Sequence, residues 1–319
     1  MKTLPDIENA ASLVYQTLSP TPQIAWPLLA ERCGCEVWVK HENHLPTGAF
    51  KVRGGLVYLD WLRHEHPEVN GVVAATRGNH GQSVAFAAGA RGLTATVIVP
   101  YGNSREKNRA MRAYGAELIE HGRDFAEAME FADQLAAERG LHFVPSFDDK
   151  LVTGVATYAL EFFRNAPSLD RVYVPIGLGS GICGMIAVRD ALGLDTEIVG
   201  IVAEGAPAYA ESFSAGHAIN SDQLPDTIAD GVACRVPNAA ALEMILRGVS
   251  RIVRVPDTEI RVAMKHYITD CHQVAEGAGA LPLAAAIVPE EREMNRGRRI
   301  GLILSGGNVD ADLFATVLS

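Results

Sequence analysis

His41-Glu42-Asn43-His44-Leu45-Pro46-Thr47-Gly48-Ala49-Phe50-Lys51-Val52-Arg53-Gly54-Gly55 is the stretch on which the reading of this chain turns. It follows a short apolar, β-branched run at 36–40 and opens a helical pattern over 50–64. Lys51 falls early in that helix, flanked by Phe50 and Val52. Most lysines are solvated surface residues. An amine in an apolar setting at a helix start has its ammonium form disfavoured by desolvation and by the helix dipole. Such an amine is a nucleophile toward a carbonyl carbon.

Outward from this block, apolar runs at 71–75, 94–100, 171–176, 196–203, 251–255 and 298–304 read as further strands. Helical patterns at 79–91, 105–114, 124–139, 182–192, 257–271 and 277–288 lie between them. Near-continuous apolar strands alternating with helices predict an α/β fold with parallel sheets covered on both faces. The length, 319 residues, suggests two lobes. In such sheets ligands gather beyond the carboxyl ends of the strands, so the loops there carry the function. A net charge of −10 argues against nucleic acid or an anionic membrane as partner, and any anionic ligand must be held by local donors. No apolar run approaches the ~20 residues of a membrane span. The N-terminus lacks a basic region followed by an apolar core, so no secretory signal is expected. Cys33, Cys35, Cys183, Cys234 and Cys271 are scattered and lack zinc spacing, which predicts reduced thiols in a cytoplasm and no metal.

Three more loops stand at strand ends. Thr76-Arg77-Gly78-Asn79-His80-Gly81-Gln82-Ser83 opens an Ala-rich helix, whose free N–H groups suit an anion such as a carboxylate; a plain Gly/Asn helix cap is the other reading. Gly177-Leu178-Gly179-Ser180-Gly181-Ile182-Cys183-Gly184 lets the backbone approach a phosphate at a helix start. The same loop spells G-x-G-x-x-G, with Glu204 closing the next strand, so a nicotinamide dinucleotide is an alternative guest. Leu304-Ser305-Gly306-Gly307-Asn308 faces the same crevice, or is simply a turn before the last helix.

Taken in order, these blocks resemble the pyridoxal-phosphate (PLP) enzymes of the serine/threonine dehydratase and serine racemase family, fold type II, with the tryptophan synthase β-like fold. The matching residues are Lys40-x-Glu42-Asn43, Thr47-Gly48-Ala49-Phe50-Lys51-x-Arg53-Gly54, Gly78-Asn79-His80-x-Gln82, the loop from Gly177 to Gly181, Thr227-Ile228-Ala229-Asp230-Gly231, Glu276-Gly277-Ala278-Gly279-Ala280, and Ser305-Gly306-Gly307-Asn308. The resemblance implies that Lys51 carries PLP as a Schiff base and then serves as catalytic base, with Phe50 near the cofactor ring. It implies that Asn79 bonds the ring hydroxyl, that Gly177, Leu178, Gly179, Ser180 and Gly181 cradle the phosphate, and that Ser305 faces the ring nitrogen. The substrate carboxylate would lie against Thr76, Asn79 and His80. The implied reaction is elimination of water from a small β-hydroxyamino acid, giving a 2-oxo acid and ammonia. Another PLP-dependent β-elimination or β-replacement, or racemisation, is the alternative within the family; a nicotinamide-dependent dehydrogenase is the one outside it. The implied organisation is a large cofactor domain, 1–70 plus 149–319, and a small mobile domain, 71–148, in a cytoplasmic homodimer.

The chain departs from the family pattern in places. Leu178 and Ser180 interrupt what is usually a run of glycines. Arg77 stands where racemases carry a serine, and a permanently protonated guanidinium cannot act as a base; it could instead pair with a distal acid on the substrate. Val202 and Ala208 stand where cation-activated members carry carboxylates, so no Mg²⁺ or Ca²⁺ site of that type is expected. The catalytic core ends at Ser319, and control by a C-terminal regulatory domain is not expected.

Overall fold

In the computed structural model, which describes residues 2–319, the alternating strands and helices gather into two sheets. The first half of the chain forms α1 (Leu4–Val14), β1 (Gln23–Ala25), α2 (Pro27–Cys33), β2 (Glu36–His41), α3 (Lys51–Glu65), β3 (Gly71–Ala75), α4 (Asn79–Ala90), β4 (Thr94–Val99), α5 (Arg105–Ala113), β5 (Glu117–Glu120), α6 (Phe125–Arg139) and β6 (His142–Phe143). There follow α7 (Asp149–Asn165), β7 (Arg171–Pro175), α8 (Ser180–Ala191), β8 (Glu197–Ala203), α9 (Ala208–Ala215), α10 (Ala239–Gly248), β9 (Arg251–Val255), α11 (Asp257–Cys271), α12 (Gly277–Ile287), α13 (Pro289–Met294), β10 (Arg299–Leu304) and α14 (Ala311–Leu318).

One sheet has the order β1-β2-β10-β7-β8-β9 and is parallel except for the edge strand β1. The other, β5-β4-β3-β6, is parallel throughout. Both bury both faces, because successive side chains on a strand point to opposite sides. Val172 and Val174 pack with residues of α7 and α8, whereas Tyr173 between them packs with α12. Val72 and Ala74 likewise face α3 and α4, and Val73 and Ala75 face α6.

The strands expected from sequence all form, with ends shifted by a residue or two. The reading missed β1, β5 and β6 and, among the helices, α1, α2, α7, α9, α10 and α13. Every residue of α7 from Leu151 to Phe162 is buried. Its polar residues Thr153, Thr157 and Glu161 fall on one stripe, four residues apart, and that stripe is buried as well.

Close approach between α3 and α7 depends on two glycines. A Cβ on Gly54 would lie 2.7 Å from the carbonyl oxygen of Leu151, and one on Gly154 would lie 2.4 Å from that of Arg53. At this crossing Arg53 is completely buried and reaches two carboxylates. Its Nε donates to Glu42 (2.7 Å) and its Nη1 to Glu161 (2.6 Å). Its Nη2 donates to Glu42 at 3.0 Å and to Glu161 at 2.9 Å. Lys40 donates to Glu161 at 2.5 Å, and the Thr21 hydroxyl donates to Glu42 at 2.6 Å. Two buried cations therefore meet two buried carboxylates, and β2, the turn after it, α3 and α7 are fixed to one another.

Two outcomes follow from this network. Breaking a buried pair leaves an uncompensated charge, so Glu161→Gln lowers stability by about 3–5 kcal/mol in urea titration. Burial works against the Glu161 charge, but Arg53 and Lys40 prevail and hold its carboxyl below the ordinary carboxylate value. Its stabilising contribution is thus present above the unfolded value of 4.5 and is lost as pH falls through the lower folded one. Acid titration of stability is expected to show a shallower loss in Glu161→Gln than in the wild type.

Candidate active site

The loops after β2, β3, β7 and β10 converge on one cleft. Ala49 and Gly306 form a bridge, the Phe50 amide donates to the Ser305 carbonyl (3.1 Å), and the Gly307 amide donates to the Gly48 carbonyl (2.9 Å). Gly48 is left-handed (φ +67°), and a Cβ there would collide with Asn308 Oδ1 at 2.4 Å. Asn308 Nδ2 in turn donates to the Thr47 carbonyl and to Asn79 Oδ1, each at 2.8 Å. The Ser83 hydroxyl donates to the Lys51 carbonyl at 2.8 Å. One set of bonds therefore ties three of the loops together, and Lys51 adds the fourth by donating from Nζ to Ser180 Oγ at 3.0 Å.

Lys51 is the first residue of α3 and lines the cleft, partly exposed. The enclosing protein desolvates its amine and lowers its pKa from 10.5 to about 8. The Phe50 ring lies 5.3 Å from Nζ, stands edge-on to Tyr158 (centroids 6.0 Å apart) and packs under Gly181.

The glycine loop presents a continuous row of donors. Among the described residues, the amides of Gly177, Leu178, Gly179, Ser180, Gly181 and Ile182 have no protein acceptor. The next amide, that of Cys183, closes the first turn of α8 on the Gly179 carbonyl. Side chains are excluded from this cradle: a Cβ on Gly177 would stand 2.5 Å from the Gly231 carbonyl oxygen. Gly179 is left-handed (φ +103°) and closes on Ala241. Leu178 turns its carbonyl to the Tyr209 hydroxyl (3.0 Å), which leaves its amide facing the cradle. Unpaired amides at a helix start form a phosphate site. With a desolvated lysine beside it, the donor set fits a phosphorylated aldehyde.

At the start of α4 the Thr76 hydroxyl accepts from the amides of Gly78 (2.9 Å) and Gly81 (3.3 Å). Among the described residues, the amides of Asn79 and His80 have no protein acceptor. Asn79 Nδ2 donates to Glu276 at 2.6 Å. His80 is buried, and desolvation together with the nearby Lys51 charge lowers its pKa to about 3, so the imidazole is neutral. Its Nε2 has no partner. Arg77 is exposed and forms no hydrogen bond or ion pair among the described residues. The buried Ser305 uses its carbonyl on Phe50, and its hydroxyl bonds no protein group.

Two groups here escaped the sequence reading as site residues. Glu276 is buried, and its carboxyl is pushed above the usual carboxylate range by desolvation, against the opposing pull of Lys107. Lys107 is also buried, on α5 one turn before buried Met111. A lysine on the apolar stripe of a charged helix was the available signal.

Beyond its glycines, the loop offers little for a nicotinamide dinucleotide. The third glycine of the fingerprint, Gly184, packs against the Ala156 backbone of α7, and Glu204 is exposed. The strand β7 before the glycine loop lies between β10 and β8, so its crevice opens toward Lys51 and Ser305.

Comparison with known proteins gives the same assignment. A family model described as pyridoxal-phosphate dependent enzyme matches residues 14–306. The L-threonine ammonia-lyase of Thermotoga maritima is 32% identical over 320 residues, covering 100% of this chain and 79% of that protein. The catabolic L-threonine dehydratase of Staphylococcus aureus is 33% identical over 311 residues, covering 97% and 89%. The structure of maize serine racemase superposes with a TM-score of 0.93 at 27% identity, covering 98% of this chain and 96% of that one.

The Lys51 environment has a measurable consequence. Only the deprotonated amine attacks an aldehyde, so uptake of PLP by the apoprotein accelerates as pH rises toward about 8 and levels off above it. A midpoint near 10.5, the ordinary lysine value, would show that the amine is not desolvated.

Proposed function

The chain belongs to the pyridoxal-phosphate dependent enzyme family, with PLP as its cofactor, and we propose that it removes water from a small β-hydroxyamino acid to give a 2-oxo acid and ammonia. The observation that carries this reading is the desolvated Lys51 amine 3.0 Å from Ser180, beside a row of unpaired amides. The named activities of the threonine ammonia-lyase and threonine dehydratase relatives support it.

Bound PLP supplies an electron sink that makes the α-proton of an attached amino acid acidic, and a neutral Ser305 hydroxyl facing its ring nitrogen keeps that sink moderate, which suits prompt loss of a β-leaving group. Lys51 is the point of covalent attachment, and its freed amine takes the α-proton onto Nζ. Ser180 Oγ orients that amine. The amides of Gly177, Leu178, Gly179, Ser180 and Gly181 hold the cofactor phosphate, and Phe50 supports the loop from below. Asn79 bonds the ring hydroxyl with the N–H that Glu276 does not use. The amides of Asn79 and His80, with Thr76 setting the turn, receive the substrate carboxylate, and neutral His80 brings no competing charge. Across the reaction the substrate loses its α-proton and β-hydroxyl as water. The enamine left behind takes up a proton and is hydrolysed, which releases ammonia.

Threonine, serine and a hydroxyaspartate-like acid are the candidate substrates. Arg77, exposed and unpaired beside the carboxylate donors, favours a substrate with a second acid. The same residue disfavours racemisation, because it cannot give up a proton to act as a second base. Residues 71–148 act as a small domain that closes on a large one made of 1–70 and 149–319, ordering the donors and excluding water. The protein works in the cytoplasm as a homodimer, the commonest closed oligomer. Desolvation raises the pKa of every one of its five free thiols, in keeping with a reduced, unreactive set.

The deciding experiment is the visible spectrum of the purified protein, before and after borohydride, with peptide mapping of the reduced adduct. A band abolished by borohydride, with the label on Lys51, is expected. Lys51→Ala should lower kcat for the active hydroxyamino acid by about 10²- to 10⁴-fold. If Lys51→Ala turned over at the wild-type rate, the assignment of the base would fail. Arg77→Ala should weaken acidic substrates far more than threonine; equal losses on both would remove Arg77 from the specificity argument.

A further inference from the structure

The cleft between the two sheets is crossed by a charge cluster, with Lys107 and Glu276 buried and Asp230 partly exposed, that no step of the reaction uses. Lys107, from α5 on the four-stranded side, donates from Nζ to Asp230 Oδ2 at 2.5 Å and lies 3.6 Å from Glu276 Oε2. Asp230 and Glu276 both belong to the six-stranded side. Glu276 N-caps α12 with its backbone, and its amide donates to the Gly306 carbonyl at 3.1 Å, so its position is tied to the loop that carries Ser305. Its Oε1 accepts from Asn79 Nδ2 at 2.6 Å, whereas its Oε2 has no hydrogen-bond partner.

Asn79 is thereby held at both ends of its amide. Asn308 donates to its Oδ1 and Glu276 accepts from its Nδ2, which fixes which end is which and leaves one N–H to point elsewhere. The stem of Lys107 runs directly under the loop that begins α4: a Cβ on Gly78 would lie 2.7 Å from Lys107 Cδ. The seat of that loop and the direction of the Asn79 amide thus depend on the same lysine. A second row of contacts joins the same two sides, Ser104 Oγ to Asp310 and the Ala311 amide to Glu106 at 3.0 Å.

We propose that Lys107, Asp230 and Glu276 form a charge clasp across the cleft, in which Lys107 and Glu276 are positioning residues that aim Asn79 and seat the 76–80 loop over the cofactor. One cation serves two carboxylates, so the clasp holds only while Lys107 is charged. Without it, buried Glu276 lies near the partly exposed Asp230 with no cation between them, and the repulsion is relieved by protonation of Glu276 or by opening of the cleft. Glu276 is the sensitive member, because it is the less solvated of the two acids and lies beside Lys107 from α5 and Asp230 after Ala229, while Asp310 before α14 acts on Lys107. The inference rests on the cofactor site described above but not on the reaction carried out there, so failure of the dehydratase assignment leaves it standing.

The test follows PLP dissociation from the holoenzyme by its visible absorbance in wild type, Lys107→Met, Glu276→Gln and the double variant. Lys107→Met should release PLP faster by about tenfold or more, within the range of coupled neighbours. It should also speed amide hydrogen exchange at the start of α4 and in α5. Glu276→Gln keeps a carbonyl for Asn79 and removes one of the competing charges. In the Lys107→Met background it should therefore restore most of the lost retention, a rescue that loss of packing alone would not give. If Lys107→Met does not fold, Glu276→Gln alone decides the matter. The wild-type release rate should change with pH through the neutral range, and that step should be absent in Glu276→Gln. Wild-type release by both single variants, effects that simply multiply in the double variant, or an unchanged pH step in Glu276→Gln would overturn the clasp.

Discussion

Four buried charges that sum to zero fix the helix from which the chemistry is done. Arg53 spans Glu42 and Glu161, and Lys40 completes the balance, all within a region closed to solvent. An apolar filling of similar volume would serve stability as well or better. What the forked guanidinium adds is direction, since each of its bonds is satisfied at only one rotation of α3. Residues two apart on a helix point to nearly opposite sides. Anchoring Arg53 inward between the turn after β2 and α7 therefore turns Lys51 outward, toward the cleft. The glycine contacts at Gly54 and Gly154 allow α3 to sit close enough to α7 for those bonds to form.

A chain of net charge −10 must nonetheless hold an anionic cofactor and an anionic substrate. It does so with backbone. The amides from Gly177 to Ile182 and those of Asn79 and His80 carry no net charge, cost nothing in self-repulsion and are aimed by helix starts. The charged groups near the site are arranged around this: the Lys51 amine is lowered to a pKa of about 8, His80 is neutral, and Lys107 lies between Asp230 and Glu276. Fixed dipoles in a partly desolvated cleft act more strongly than the same dipoles in water.

Much of this was readable in the sequence, for identifiable reasons. Central parallel strands such as Val72–Val73 and Leu302–Ile303 announce themselves because burial on both faces demands an unbroken apolar run. Strand-end loops were equally plain, because close approach to an anion or a neighbour admits only glycine there. The polar stripe of α7, with Thr157 and Glu161, faces the buried Arg53 and not water, so it does not mark a solvent side, and β6, two residues long, left no pattern at all. Lys107 was hidden for another reason: Asp230 lies 123 residues away in sequence, and the pairing exists only once both sheets have formed. The side chain of Arg77 is the reverse case, plain in sequence but with no protein partner to fix its direction.

The two sheets divide the site between them unequally. The amide cradle and Ser305 stand on loops of the six-stranded sheet, whereas Lys51 opens α3, which packs between α7 on that side and β3 and α4 of the four-stranded sheet. The four-stranded sheet contributes the start of α4 and, through α5, Lys107. The start of α4 thus carries the amides assigned to the substrate carboxylate together with the Asn79 side chain, which is assigned to the cofactor ring. A few polar contacts cross the cleft: Ser83 to Lys51, Asn308 to Asn79, Asn79 to Glu276, and Lys107 to Asp230 and Glu276. Substrate has to enter and leave at every turnover while the cofactor stays. The polar contacts across the mouth of the cleft are each replaceable by water, whereas the apolar core that α3 shares with α4 and β3 holds the two sides together behind the site.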